Sequence, residues 1–132
     1  MKIRDVQATP VNIPFRAPYR FSYGSIASLT KTVIVLTTDD GVQGLGECAD
    51  GDRAADVVAM GQTLIGMDVR DINLARIKSV PAMAYSPWGN VTAATRVFGG
   101  IEMAMWDARG KSENRSIAEL LGGPLCQEIP HT

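Results

Sequence analysis

The stretch Asp39-Asp-Gly-Val-Gln-Gly-Leu-Gly-Glu-Cys-Ala49 decides how this chain folds. Its second half, Gly44-Leu-Gly-Glu-Cys-Ala49, has the pattern G-x-G-x-x-A, one form of the dinucleotide-binding fingerprint. That fingerprint works only inside a βαβ unit, with a parallel strand after the helix. The surroundings point elsewhere. Thr32-Val-Ile-Val-Leu-Thr37 is a β-branched run that predicts a strand. Asp39-Asp40-Gly41 predicts a type I′ hairpin turn, because Asp-Gly tolerates positive φ. Val42 to Glu47 then returns as the antiparallel partner, so the strand before the glycines is already half of a hairpin. Asp68 lies at about the distance of a ribose-binding acid but ends no predicted strand. Glu47 would place a negative charge against a pyrophosphate. The sequence therefore reads Gly44 and Gly46 as residues that let a strand twist and turn out, and it predicts no nucleotide binding.

Upstream of this hairpin, Ile3, Val6, Val11 and Ile13 mark an extended segment that ends at Pro14. Phe15-Arg-Ala-Pro-Tyr-Arg-Phe-Ser-Tyr-Gly24 follows with no helix or strand period and reads as a polar, aromatic loop. Downstream, the period changes to that of helices. Asp52 is placed to cap a helix over 53–64. Asp71 is placed to cap a second, carrying Ile72, Leu74 and Ile77, which Pro81 stops. Asn90 is placed to cap the longest helix, whose stripe runs through Val91, Ala94, Val97 or Phe98, Ile101, Ala104 or Met105, and Ala108. Trp106 lies off that stripe and is expected to stay exposed or to meet another chain. Asp107 and Lys111 stand four apart and are expected to pair. Ser116-Ile-Ala-Glu119 has the capping-box pattern, and Gly122-Gly123-Pro124 ends that last helix. Strands first and helices afterwards predict an α+β fold: a three-stranded antiparallel meander followed by a helical bundle.

The chain has 132 residues, with 13 Lys and Arg against 14 Asp and Glu, and a formal net charge of −1. One domain is the natural expectation at this length, and the charge balance argues against a nucleic-acid partner. No apolar run reaches the length of a membrane span, and no apolar signal segment follows Lys2 and Arg4. Cys48 and Cys126 lack metal-ligand spacing. A soluble, cytoplasmic protein is expected, with neither nucleic acid nor membrane as partner.

Catalytic groups are scarce. His131 is the only histidine and stands next to the last residue. Glu102 and Asp107 are five apart, which does not put both on one helix face. No catalytic set and no metal-ligand set is legible. What stands out is Tyr19, Arg20, Phe21 and Tyr23 in one segment, since aromatics and arginine in a loop are typical of contact surfaces. Arg20 offers a bidentate fork for a carboxylate.

Three motifs in order carry a resemblance. Thr37-Thr-Asp-Asp-Gly-Val-Gln-Gly-Leu-Gly-Glu47 resembles a hairpin near the start of the mandelate racemase and muconate-lactonizing branch of the enolase superfamily. Gly100-Ile-Glu-Met-Ala-Met-Trp-Asp-Ala-Arg-Gly-Lys111 resembles the long helix that follows there, and Leu120-Leu-Gly-Gly123 the motif before that family's barrel. The resemblance implies an N-terminal capping domain over 1–123, with 124–132 as linker and start of a (β/α) barrel that the chain does not contain. It implies that two loops, about 15–24 and 47–52, reach over the barrel mouth and contact substrate through Tyr19, Arg20, Phe21, Tyr23, Glu47 and Asp50. It further implies Mg²⁺ in the intact enzyme, held by barrel carboxylates and not by this chain alone. The implied partners are the barrel, a small carboxylate substrate and other copies in a homo-oligomer. The family removes a proton next to a carboxylate, and Mg²⁺ stabilises the enediolate. Gly66-Met-Asp-Val-Arg-Asp-Ile-Asn-Leu74 resembles a segment of glucarate-type acid-sugar dehydratases. A racemase, a cycloisomerase of the same superfamily, or a free-standing interaction domain are the alternatives. The chain alone is expected to be inactive.

Overall fold

The computed structural model describes residues 1–49, 51–81 and 93–128. Strands β1 (Ile3–Phe21), β2 (Gly24–Thr38) and β3 (Gln43–Cys48) form one antiparallel sheet in the order β1-β2-β3. Helices α1 (Ala54–Leu64), α2 (Ile72–Ser79), α3 (Ala93–Glu113) and the short α4 (Ile117–Leu120) follow. The fold is α+β, a three-stranded meander followed by helices.

The β2–β3 connection differs in detail from the expected type I′ turn. The Gly41 N–H donates to the Thr38 carbonyl at 3.1 Å, and the Thr38 N–H donates to the Val42 carbonyl at 2.9 Å. Gly41 has φ +86°, whereas neither aspartate has positive φ. The connection is thus a three-residue loop closed by a left-handed glycine. The Thr38 hydroxyl also donates to the Asp40 carboxylate, which holds the Asp40 pKa below the ordinary carboxylate value.

Alternation along the strands defines two faces. Cross-strand partners Val6↔Leu36↔Gly44, Ala8↔Ile34↔Gly46 and Thr32↔Cys48 share the face turned toward the helices. Ile3, Val6, Ile34, Leu36 and Cys48 from that face pack into one core with Val57 and Leu64 of α1, Ala75 of α2, and Val97, Phe98, Ile101, Ala104, Met105 and Ala108 of α3. The stripe read from the sequence is therefore the buried face of α3. Val11, Ile13, Leu29, Val33 and Leu45 remain exposed.

The structure corrects the reading of the glycines. Gly44 and Gly46 are not in a turn. They lie inside β3, where α3 crosses the sheet. A Cβ on Gly44 would stand 1.9 Å from the Ala104 carbonyl oxygen, and one on Gly46 would stand 2.1 Å from that of Gly100. Only glycine lets strand and helix backbones approach this closely. The G-x-G spacing of two matches the strand period, so both open sites face the same helix.

The helix ends are mixed. Asp52 accepts the Ala54 N–H at 3.1 Å, one position ahead of the Arg53 N-cap. Asp71 occupies the N-cap of α2 but makes no side-chain capping bond. Asn90 and Val91 lie outside the described residues. Ser116 and Glu119 form the expected capping box, with Ser116 N–H to Glu119 Oε2 at 2.7 Å and Glu119 N–H to Ser116 Oγ at 3.2 Å. Trp106 is half-buried against the core, with the Arg109 guanidinium 5.4 Å from its ring centroid.

Candidate functional site

The expected loop at 15–24 is a second correction. β1 does not end at Pro14. After an irregularity between Pro14 and Tyr19 it re-enters the ladder, with Tyr19↔Ile26, Arg20↔Ser25 and Phe21↔Gly24 paired. Residues 9–33 thus form a long β-hairpin arm, most of whose side chains are open to solvent on both faces. Pro10, Pro14 and Pro18 and the missing alternation hid this from the sequence. All three stand in β1, an edge strand of this sheet, where proline is tolerated.

The arm ends in an aromatic tip. Tyr19 and Phe21 are two apart on one face, with ring centroids 4.8 Å apart in an edge arrangement. Phe21 and Tyr23 are stacked at 5.2 Å. Tyr23 sits in the tip turn and is 86% exposed, so this cluster is a surface and not a piece of core. Alternation puts Arg20 on the opposite face from Tyr19 and Phe21. Arg20 is exposed and has no hydrogen bond or ion pair among the described residues.

The fourth site residue on a strand, Glu47, pairs across from Val33 and accepts from Lys31 Nζ at 2.9 Å. That face is the one turned away from the helices. The structure therefore divides the expected site residues. Tyr19, Phe21 and Tyr23 gather at the tip, while Arg20 and Glu47 face the other way. Asp50 lies outside the described residues, as does His131.

Sequence reasoning missed Thr32. It is wholly buried, one position along the same face from Ile34 and Leu36. Its hydroxyl donates to the Gly51 carbonyl and accepts the Arg53 N–H, both at 2.8 Å. A signal was present: alternation with Ile34 and Leu36 places a hydroxyl inside, and a buried hydroxyl needs partners. The partners themselves, 19 and 21 residues away, are not readable from a strand pattern.

Asp107 and Lys111 also do more than pair. Lys111 Nζ donates to Asp107 Oδ2 at 2.7 Å and to the Gln43 carbonyl at 3.0 Å, while Asp107 Oδ2 accepts the Leu45 N–H at 2.7 Å. Together they satisfy the free edge of β3, a device that blocks further strand pairing. A cleft of about 440 Å³ beside them is lined by Leu45, Met103, Trp106 and Ile117.

At the far end of the sheet, Asp68 receives Arg70 Nε at 2.8 Å and Arg70 Nη2 at 2.7 Å. This fork holds the Asp68 carboxyl well below the usual carboxylate range. Lys2 and Asp68 form an antiparallel bridge, and the Ile3 N–H donates to the Met67 carbonyl at 2.8 Å. The 66–74 segment thus packs beside the start of β1, a whole strand length from the arm tip.

Among the described residues no group of three or more His, Cys, Asp or Glu is placed to hold a metal ion. These residues do not fit a divalent cation. No described helix is long and apolar enough to cross a membrane.

The model of the mandelate racemase / muconate lactonizing enzyme N-terminal domain matches residues 3–122. The chain belongs to this family. Among its relatives, D-galactarolactone cycloisomerase of Agrobacterium fabrum is 31% identical over 98% of this chain and 34% of its own length. N-succinyl-L-Arg/Lys racemase of Bacillus cereus is 27% identical over 100% of this chain and 36% of its own. The solved structure of an enolase from Streptomyces coelicolor superposes with a TM-score of 0.86 at 34% identity, covering 98% of this chain and 34% of that one. The chain thus spans about a third of the length of the relatives it matches. It is an enolase-superfamily N-terminal capping domain whose homologues are racemases, cycloisomerases and dehydratases. A more distant structure of this fold, a dipeptide epimerase from Enterococcus faecalis, is complexed with Mg.

Proposed function

We propose that this domain closes the active site of an enzyme that removes a proton next to the carboxylate of an acid sugar, with dehydration as the outcome. The observation that carries the reading is the arm: a paired hairpin extending past the core, with an exposed aromatic tip. Two relatives at 31% identity support the substrate class, the cycloisomerase acting on D-galactarolactone and a D-galactonate dehydratase family member of Paenibacillus. Cycloisomerisation is the second reading, because the cycloisomerase matches over 98% of this chain against 76% for the dehydratase relative.

In this reading the arm's residues bind, orient and exclude water. The aromatic tip supplies rigid apolar area that keeps water from the reacting carbon. The proton abstraction would fall to a barrel beyond this domain, and a Mg²⁺ held by that barrel would supply positive charge to the substrate carboxylate. The exposed sheet face carrying Val11, Ile13, Leu29, Val33 and Leu45 is consistent with burial in a homo-oligomer.

The test is an assay of the intact protein, with Mg²⁺, against aldarates, aldonates and their lactones, beside N-succinyl amino acids and muconates. Turnover confined to acid sugars, with KM raised by Tyr23→Ser, supports the reading. Turnover of N-succinyl amino acids or muconates with none of any acid sugar overturns it.

A further inference from the structure

Thr32 joins two parts of the domain that the sequence keeps apart. It sits on β2 at the root of the arm, and both of its hydrogen bonds go to the segment that leads from β3 into α1. Within β2, Ile26 and Thr32 have the same parity, so alternation puts them on one face. Ile26 is the cross-strand partner of Tyr19. The aromatic tip and the β3–α1 connection therefore lie on the same side of the sheet, at opposite ends of one face. Ser28 and Thr30, half-buried, lie between them on that face.

The geometry points to Thr32 as the positioning residue that holds the β3–α1 connection in register with the arm, so that the two make one wall toward the substrate. The hydroxyl is suited to this because it donates and accepts at once. It fixes a carbonyl at Gly51 and an N–H at Arg53, which clamps the chain on both sides of one residue. Gly51 itself has φ +74°, a left-handed conformation in which an L side chain is strained. The connection thus has two independent constraints, the Thr32 clamp and the Gly51 backbone. Thr32 is too deeply buried to touch substrate. Its effect on a bound molecule passes through the connection.

The inference rests on the proposed capping role, and its test separates the two. The intact protein is compared with Thr32→Val, Thr32→Ser and Gly51→Ala. Amide exchange at Arg53 reads the clamp, because its N–H is the one Thr32 accepts. In Thr32→Val, which keeps the shape and removes the acceptor, exchange at Arg53 should rise at least tenfold relative to core amides of α3. Thr32→Ser should restore it. With acid-sugar substrate, Thr32→Val should raise KM several-fold with a smaller change in kcat, and Thr32→Ser should restore KM. Gly51→Ala reaches the connection without touching the core and should raise KM likewise, which covers the case that Thr32→Val does not fold. Unchanged Arg53 exchange in Thr32→Val overturns the clamp. Lost protection with unchanged KM overturns its link to substrate. Absence of acid-sugar turnover by the unaltered protein instead overturns the proposed function and leaves the exchange result standing.

Discussion

Replacing Gly46 with alanine tests the claim that β3 glycines exist to let α3 approach. The added Cβ would meet the Gly100 carbonyl oxygen at 2.1 Å, the Ala104 nitrogen at 3.0 Å and the Ala104 Cβ at 3.2 Å. The obstacles include helix backbone, which cannot swing aside as a side chain can. Relieving the shortest contact to about 3.2 Å requires α3 to move by roughly 1 Å, more than a close-packed interior absorbs locally. Overpacking of this kind costs about 1–3 kcal/mol, sometimes more. The loss of glycine flexibility in the unfolded chain offsets about 0.4–1 kcal/mol. Because α3 carries Val97, Phe98, Ile101, Ala104, Met105 and Ala108 into the core, its displacement disturbs most of the buried apolar contacts at once. We expect a net loss of about 1–2 kcal/mol, or a fall in Tm of roughly 5 °C for a domain of this size. Urea unfolding followed by far-UV circular dichroism measures it. Gly99→Ala is the internal control, one residue from Gly100 on the same helix. A Cβ there meets nothing within 4 Å, so it should stabilise by up to about 1 kcal/mol through helix propensity. A Gly46→Ala variant within about 0.5 kcal/mol of the parent would refute the packing argument. So would destabilisation of both variants to the same extent.

Asp107→Ala should cost about 1 kcal/mol, because it strips the Leu45 N–H of its acceptor and Lys111 of its partner at a half-exposed edge; a cycle with Lys111→Ala should show the two losses to be less than additive. Asp68 has a folded-state pKa below its unfolded value, so its contribution is present above about pH 4 and is lost as pH falls below that. Stability of the parent should therefore fall more steeply below about pH 4 than that of Asp68→Asn, which lacks this contribution, and the two should converge at low pH. Tyr23→Ser should leave stability within about 0.5 kcal/mol, since the side chain is exposed at a turn, while raising KM of the intact enzyme; a large stability loss would mean that the tip is structural.

Local pattern carried much of the architecture. The β-branched run at 32–37, the Asp-Gly turn and the switch to helical period are short-range signals, and each appears where the chain places it. The α3 stripe was legible because burial on one helix face repeats every three to four residues. The capping box at Ser116 and the Asp107–Lys111 pair were legible because both partners lie within one helical turn. Three ordered motifs also marked the family, which the whole-domain match shows.

Tertiary structure alone decided the rest, because the partners are far apart along the chain. Gly44 and Gly46 read as twist residues until α3, more than fifty positions later, was seen to lie against them. The arm read as a loop because its side chains do not alternate in polarity. With most of it open to solvent on both faces, no burial imposes a period. The same long strand separates Arg20 from the tyrosines, since neighbours in a strand point to opposite sides. Thr32 looked like one more β-branched strand residue. Its hydroxyl acquires a role only when the chain returns after β3 and brings Gly51 and Arg53 within hydrogen-bond distance. Short-range preferences set which segments are strands and helices; which side chains meet depends on contacts that no local pattern encodes.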